Sequence, residues 1–248
     1  MLPNIWIIDT YSIMILIGVI LCFYIFYKYS IKYKNNKNYA YDILLLACAA
    51  IIGGILSATL FQTLFDYIKD NTSRFNFKMT FFGGLVGGVV VFILGYMLYI
   101  KKKYPESSIA ADILPIAPAC ITCAHAFGRI GCFLAGCCYG GETDSIFGVT
   151  FPGMDHAVHP TQLYEATFLI ILSSVLTLLA YKKNCIYTMP IYLVCYGIFR
   201  FLIEFVRGDD RGAYFFNISP SQCFSILAIL ISIILAILIK FNIIKNKR

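Results

Sequence analysis

Gly128-Arg129-Ile130-Gly131-Cys132-Phe133-Leu134-Ala135-Gly136-Cys137-Cys138-Tyr139-Gly140 closes the fourth of the long apolar segments in this chain. Its repeated glycines, three cysteines and single arginine do not suit a helix face that meets lipid. Glycine lets backbone pass close to a ligand or adopt positive φ. An arginine at membrane depth is costly unless it finds a partner or an anion. Two readings follow: a tight re-entrant turn with a structural arginine and inert thiols, or the wall of a polar site within the membrane.

The flanking sequence sets the class. Of 248 residues, 60% are hydrophobic and 13% charged, and mean hydropathy is +0.78. A soluble domain of this length would lack polar surface. A spanning helix needs ~20 apolar residues, and the runs here are continuous rather than alternating, which disfavours a β-barrel. The sequence therefore predicts an all-α, polytopic membrane protein with seven transmembrane helices. The expected spans are Tyr11–Tyr27, Ile43–Phe65, Met79–Ile100, Ala110–Gly128, Gln162–Tyr181, Tyr187–Phe205 and Ser219–Ile239. No repeat or long linker divides them, so residues 1–248 read as a single membrane domain. Met1 to Asp9 lacks a basic stretch and no small-residue cleavage site follows, so the first run reads as a retained span.

Charge sets the orientation. Thirteen of the twenty Lys and Arg follow spans one, three, five and seven, from Lys28 to Arg248. Lys and Arg mark cytoplasmic loops, so the N-terminus is expected outside and the C-terminus in the cytoplasm. The net charge of +7 is a topology signal, and nucleic acid is not an expected partner. Five more, Lys69, Arg74, Lys78, Arg207 and Arg211, fall on the other side among acidic residues, which leaves Arg129 and Arg200 in neither group. Each lies late in an outward-running span, so both should sit at one depth, just under the outer surface. They can pair with carboxylates such as Glu165 or Glu204, hold an anion between them, or do both. Arginine suits phosphate because its planar fork grips two oxygens.

Smaller signals accompany these. Pro115 and Pro118 predict a kink in span four, with Asp112 before them readable as solvated. Phe147–Gly153 reads as a short hairpin or turn. Pro160 suits a helix start, placing Gln162 and Glu165 on one face. Arg200, Glu204 and Arg207, spaced i, i+4 and i+7, predict a polar stripe on one helical face.

Three segments now stand in order: Gly128-Arg129-Ile130-Gly131-Cys132-Phe133, His159-Pro160-Thr161-Gln162-Leu163-Tyr164-Glu165, and Arg200-Phe201-Leu202-Ile203-Glu204-Phe205-Val206-Arg207. In seven spans, this resembles the bacterial prolipoprotein diacylglyceryl transferase family. The resemblance implies transfer of a diacylglyceryl group from phosphatidylglycerol to the thiol of a lipobox cysteine in a precursor lipoprotein signal peptide, at the bacterial plasma membrane. The site would face the outer leaflet, and no metal or organic cofactor would be needed. Carried over by position, Arg129 and Arg200 hold the phosphate and Glu204 orients Arg200. Tyr11 lines the site, Gly131 and Gly140 shape the signature loop, and Arg207 borders the head group. His159, Gln162, Tyr164 and Glu165 support the wall.

The departures fall in the same stretch. Cys132 stands where the family usually has asparagine, Cys137 where it has glutamate, and Ala135 where it has asparagine. Phe82 replaces a histidine, and Ile55 stands where an arginine is expected. Cys132 and Cys137 are accordingly candidates for chemistry of their own. The alternative function is a paralogue using the same phospholipid site, with Cys132, Cys137 and Cys138 performing thiol-redox or thiol-lipid chemistry on another acceptor. A disulfide from Cys132 to Cys137 or Cys138 suits an extracytoplasmic site. A metal centre of His125, Cys132, Cys137 and Cys138 matches no common zinc spacing, and adjacent cysteines rarely share one ion.

Overall fold

The computed structural model describes residues 4–5, 8–69, 80–207 and 219–241. Among them are seven helices long and apolar enough to cross a membrane, which makes this a multi-pass membrane protein. They are α1 (Thr10–Lys34), α2 (Lys37–Lys69), α3 (Phe81–Gly95), α4 (Ala117–Leu134), α5 (Thr161–Lys183), α6 (Thr188–Ile203) and α7 (Pro220–Lys240). A two-residue antiparallel pair, Asn4–Ile5 with Ile8–Asp9, precedes them. Every expected span is present. The first helix runs on past its apolar stretch to Lys34, and there Lys28 lies over Tyr24 and Lys32 over Tyr33, an arrangement that lets a charged head leave the apolar zone while its stem stays.

Contacts divide the chain into two units, Ser30–Ser108 and the remainder. Within Ser30–Ser108, α2 and α3 pack through small residues, since lipid gives no hydrophobic drive and close backbone approach must supply the attraction. A Cβ on Gly87 would stand 2.2 Å from Ser57 Cβ, and one on Gly54 would stand 2.9 Å from Gly84 O. Ile55 lines an apolar cleft of about 700 Å³ between these helices. Beyond Gly95 the chain continues as a π turn, Tyr96–Ile100, with Tyr96 and Ile100 buried. Lys103 and Tyr104 then both meet the Asp42 carboxylate at 2.7 Å.

In the other unit, α4 packs on α5 and α6 on α7, while α1 crosses α4 closely at Gly18, where a Cβ would come within 3.0 Å of Phe127 Cβ. The prolines break the fourth span rather than kink it. A π turn at Ile109–Ile113 ends before Pro115, and α4 begins with Pro118 in its first turn, where a missing N–H costs nothing. The carbonyls of Leu114 and Pro115 accept from Thr188 Oγ1 at 3.3 and 2.8 Å, so freed backbone groups at membrane depth are paired. Asp112 is buried, not solvated as expected.

Two further expectations change. The signature stretch is helical as far as Leu134 and becomes a loop only from Ala135, because Gly128 and Gly131 thin a helix face rather than end the helix. The polar stripe also stops early: α6 ends at Ile203, a 3₁₀ turn carries Glu204–Val206, and Arg207 is extended. Arg200 and Glu204 share a face, and Arg207 leaves it. Arg211 and the Asp209-Asp210 pair lie outside the described residues, as does the side chain of Phe82. Of the hairpin or turn expected at Phe147–Gly153, the structure has the turn, with Met154 N–H donating to Phe151 O at 3.0 Å, while Val149 makes only an isolated antiparallel bridge to Val158.

The small-residue contact gives a direct test. Gly87→Ala should destabilise the protein by about 1–3 kcal/mol through overpacking, and Ser57→Gly in the same chain should recover most of that. Thermal unfolding of the detergent-solubilised variants measures both. An unchanged single variant, or no recovery in the double one, would contradict the packing described.

Candidate active site

The site begins with one carboxylate. Glu165, in the first turns of α5, has a side chain with no solvent exposure. Its Oε2 stands 2.9 Å from Arg129 Nε on α4. Its Oε1 accepts from Tyr196 OH on α6 at 2.8 Å and lies 3.4 Å from His125 Nε2, one turn before Arg129. A buried charge must be paired or hydrogen-bonded, and Glu165 meets that need with groups from two other helices.

Arg200, near the end of α6, forms a second pair. Its Nη2 lies 2.7 Å from Glu204 Oε2 and donates to Ser221 Oγ at 2.8 Å. Ser219 Oγ donates to Glu204 Oε1 at 2.8 Å. Ser219 also caps α7, exchanging hydrogen bonds with Gln222 in a capping box. Arg200 Nη1 is buried and has no hydrogen-bond partner among the described residues. Both guanidinium groups lie within electrostatic reach of His125 and of Tyr196, so the two arginines border one site.

The third part is the loop after α4. Cys138 has φ +64, a left-handed backbone that costs a non-glycine residue about 1–2 kcal/mol. The first turn of α5 compensates. Gln162 Nε2 donates to Cys137 O at 2.6 Å, and Thr161 Oγ1 donates to Cys138 O at 3.1 Å. Gly140 then meets three segments: its N–H donates to His159 O at 2.8 Å, and a Cβ there would stand 2.7 Å from Val206 O and 2.8 Å from Thr161 Cγ2. Only glycine fits. Phe151 is buried against the rings of Phe133 and Tyr139 and seats the following loop on the end of α4.

All three thiols of this stretch are free, and their sulfur atoms lie within 4.8 Å of one another. The Cys137 thiol donates to Cys132 O at 3.6 Å, and the Cys138 thiol is held down by the neighbouring Cys132 and Cys137 thiols, with Arg129 and Arg207 adding to the effect. Burial moves Cys137 in the opposite direction.

The structure thus brings Arg129, Glu165, Arg200 and Glu204 together as two ion pairs, and sets Cys132, Cys137, Gly140 and Gln162 beside them. Tyr11 packs on Gly131, where a Cβ would stand 2.9 Å from the ring. His159 and Tyr164 associate with each other, Nδ1 to OH at 3.4 Å, and hold the approach to α5. Arg207 lies by the cysteine loop, within electrostatic reach of Cys138. Sequence reading passed over Tyr196, Ser219 and Ser221, and considered His125 only as a metal ligand. Tyr196 precedes Arg200 by one turn, and Ser219-Pro220-Ser221-Gln222 has the pattern of a capped helix start. Those were the signals available.

A family model described as prolipoprotein diacylglyceryl transferase matches residues 2–238. A protein of Clostridium tetani called phosphatidylglycerol–prolipoprotein diacylglyceryl transferase is 32% identical over 240 residues, covering 90% of each chain. A Clostridium perfringens relative, transferase 2 of that name, is 31% identical over 241 residues, covering 92% of this chain and 90% of its own. One from Rickettsia africae is 32% identical over 215 residues, covering 82% of this chain and 80% of its own.

Glu165→Gln keeps the shape and removes the charge. Breaking a buried pair from one side costs about 3–5 kcal/mol, so this variant should unfold at distinctly lower temperature in detergent than wild type. Glu204→Gln, at a helix end, should lose less. Equal unfolding temperatures for Glu165→Gln and wild type would remove Glu165 as the tie between α4, α5 and α6.

Proposed function

Because the chain belongs to the prolipoprotein diacylglyceryl transferase family, we propose that it is a membrane enzyme moving a diacylglyceryl group from phosphatidylglycerol to the thiol of a lipobox cysteine in a precursor lipoprotein. Residues 1–248 work as one membrane domain in the bacterial plasma membrane, N-terminus outside and C-terminus in the cytoplasm, with the site toward the outer leaflet. The excess of Lys and Arg after alternate spans supports that orientation.

The observation that carries the assignment is Arg200 Nη1, buried with no hydrogen-bond partner among the described residues, on a side chain that shares the reach of Tyr196 with Arg129. An orphaned guanidinium N–H in a low-dielectric site is expensive, and a phosphate oxygen satisfies it. Arg129 commits its Nε edge to Glu165, so phosphate contacts fall to its terminal Nη groups. Glu165 and Glu204 fix the two guanidinium planes before substrate arrives, which is the condition for stabilising charge as it develops.

The acceptor sulfur attacks the glycerol carbon that carries the phosphate ester. The carbon–oxygen bond breaks, and glycerol phosphate leaves with the electron pair toward Arg129 and Arg200. Tyr11 and Gly131 line the path. Gln162, Gly140 and Arg207 keep the cysteine loop against the site, while His159 and Tyr164 support its wall.

Arg129→Ala and Arg200→Ala should each lower labelling of a lipobox peptide by radiolabelled phosphatidylglycerol roughly 100- to 1000-fold, the loss seen when one transition-state donor is removed. Purified wild type that never labels such a peptide would refute the substrate assignment and leave the fold intact.

A further inference from the structure

Cys132 comes from the last turn of α4, and Cys137 and Cys138 from the loop beyond it, yet the three sulfur atoms lie within 4.8 Å of one another. Neighbours in sequence ordinarily direct their side chains apart, which is why adjacent cysteines rarely serve one ion. The left-handed backbone at Cys138 removes that objection here, because it re-aims the second thiol toward the first and toward Cys132. Thr161 and Gln162 hold the peptide groups of the loop in this shape. The thiols are therefore positioned mainly by other side chains, the Cys137 thiol contributing only a long bond to Cys132 O at 3.6 Å.

We propose that Cys132, Cys137 and Cys138 form a three-thiolate site for a thiophilic d¹⁰ cation of the Zn(II) type, whose fourth position takes the thiol of the acceptor cysteine. This rests on the transferase reading above. Zn–S bonds of about 2.3 Å in tetrahedral geometry set sulfur atoms about 3.8 Å apart, so each pair needs to close by no more than about 1 Å. The described His, Cys, Asp and Glu side chains supply no fourth member to this group, and three protein ligands with one open position is the arrangement of reactive rather than structural zinc. Cys137 is the most exposed of the three, so the group can be reached from outside the fold.

The chemistry fits what the phosphate grip leaves undone. Arginines stabilise the leaving group, but the incoming thiol must first become a thiolate. A thiol that coordinates zinc is deprotonated outright, and its proton passes to solvent. The bound sulfur then forms the new carbon–sulfur bond as the carbon–oxygen bond to phosphate breaks. Zinc keeps its oxidation state throughout, so no oxidant or reductant enters. Arg129 lies within electrostatic reach of all three cysteines, so a thiol delivered there arrives beside the proposed phosphate site.

The full-length protein in detergent, reduced and washed with chelator, is loaded with Zn(II) or Co(II). The expected result is about one ion per chain, a near-ultraviolet thiolate-to-Co(II) charge-transfer band, and a ligand-field spectrum that changes when a lipobox cysteine peptide is added. The same peptide with serine in place of cysteine should leave the spectrum unaltered. Cys132→Ser, Cys137→Ser and Cys138→Ser should each weaken binding at least tenfold, while Cys223→Ser should bind as wild type does. Chelator-washed wild type that takes up no Zn(II) or Co(II) would overturn the proposal, without any variant having to fold. So would finding two of the three thiols joined as a disulfide in membranes alkylated before solubilisation. Peptide labelling that persists fully in metal-stripped protein would overturn the acceptor role and leave the transferase reading standing. A Co(II) spectrum that responds to the peptide, in a protein that labels nothing from phosphatidylglycerol, would instead leave the site standing and refute the donor.

Discussion

A carboxylate sealed from water inside a membrane protein is stable only if the surrounding chain is built around it. Glu165 is that group. Its two oxygens take Arg129 and His125 from α4 and Tyr196 from α6, so one side chain on α5 sets the mutual rotation of three helices. An apolar residue there would let those helices turn about their axes at little cost, since lipid tails solvate them as well as their neighbours do. The charge removes that freedom. It also makes Arg129 affordable at a depth where a lone arginine costs ~2.5–3.5 kcal/mol on insertion scales.

The first turn of α5 carries a second duty. Thr161 and Gln162 reach to the carbonyls of Cys138 and Cys137, and Glu165 reaches to Arg129. The end of α4 and the loop after it are therefore both read against the same helical turn. Gly140 completes the junction where the cysteine loop, His159 and Val206 meet. Through Val206 the junction continues to Glu204 and Arg200, so the two ion pairs belong to one connected framework. The capped start of α7 closes it from the far side, with Ser219 and Ser221 each holding one member of the second pair.

Helix number and approximate span limits were legible in the sequence, and carboxylate partners for Arg129 and Arg200 stood there as one of the open readings, because each follows from a local rule: hydrophobic run length, or the cost of a charge at depth. What escaped was set by tertiary contact. Span four was expected to kink at its prolines, and it breaks instead because Thr188, 73 residues beyond Pro115, pairs the freed carbonyls. Arg207 fits the i+7 spacing from Arg200, yet the helix tightens at Glu204 and releases it. The left-handed turn at Cys138 could not be read from sequence, because cysteine has no preference for that conformation. Tyr196 and the serines gave only weak signals, since their roles depend on which face of a neighbouring helix they meet.

The arrangement also explains why the cysteines can replace polar side chains without loss of the scaffold. The hydrogen bonds that fasten the loop to α5 run to the backbone carbonyls of Cys137 and Cys138, and the Cys137 thiol adds only a long one to Cys132 O at 3.6 Å. Backbone carbonyls are present whatever the residue. The fastening of the loop to α5 consequently depends little on side-chain identity at these positions, provided the left-handed turn and Gly140 are kept. The arginine positions lack that latitude, because their charges are matched one to one by buried carboxylates, and exchanging either member strands the other. Variation in chemistry is thus confined by physics to the loop face, while the anion-holding face stays fixed.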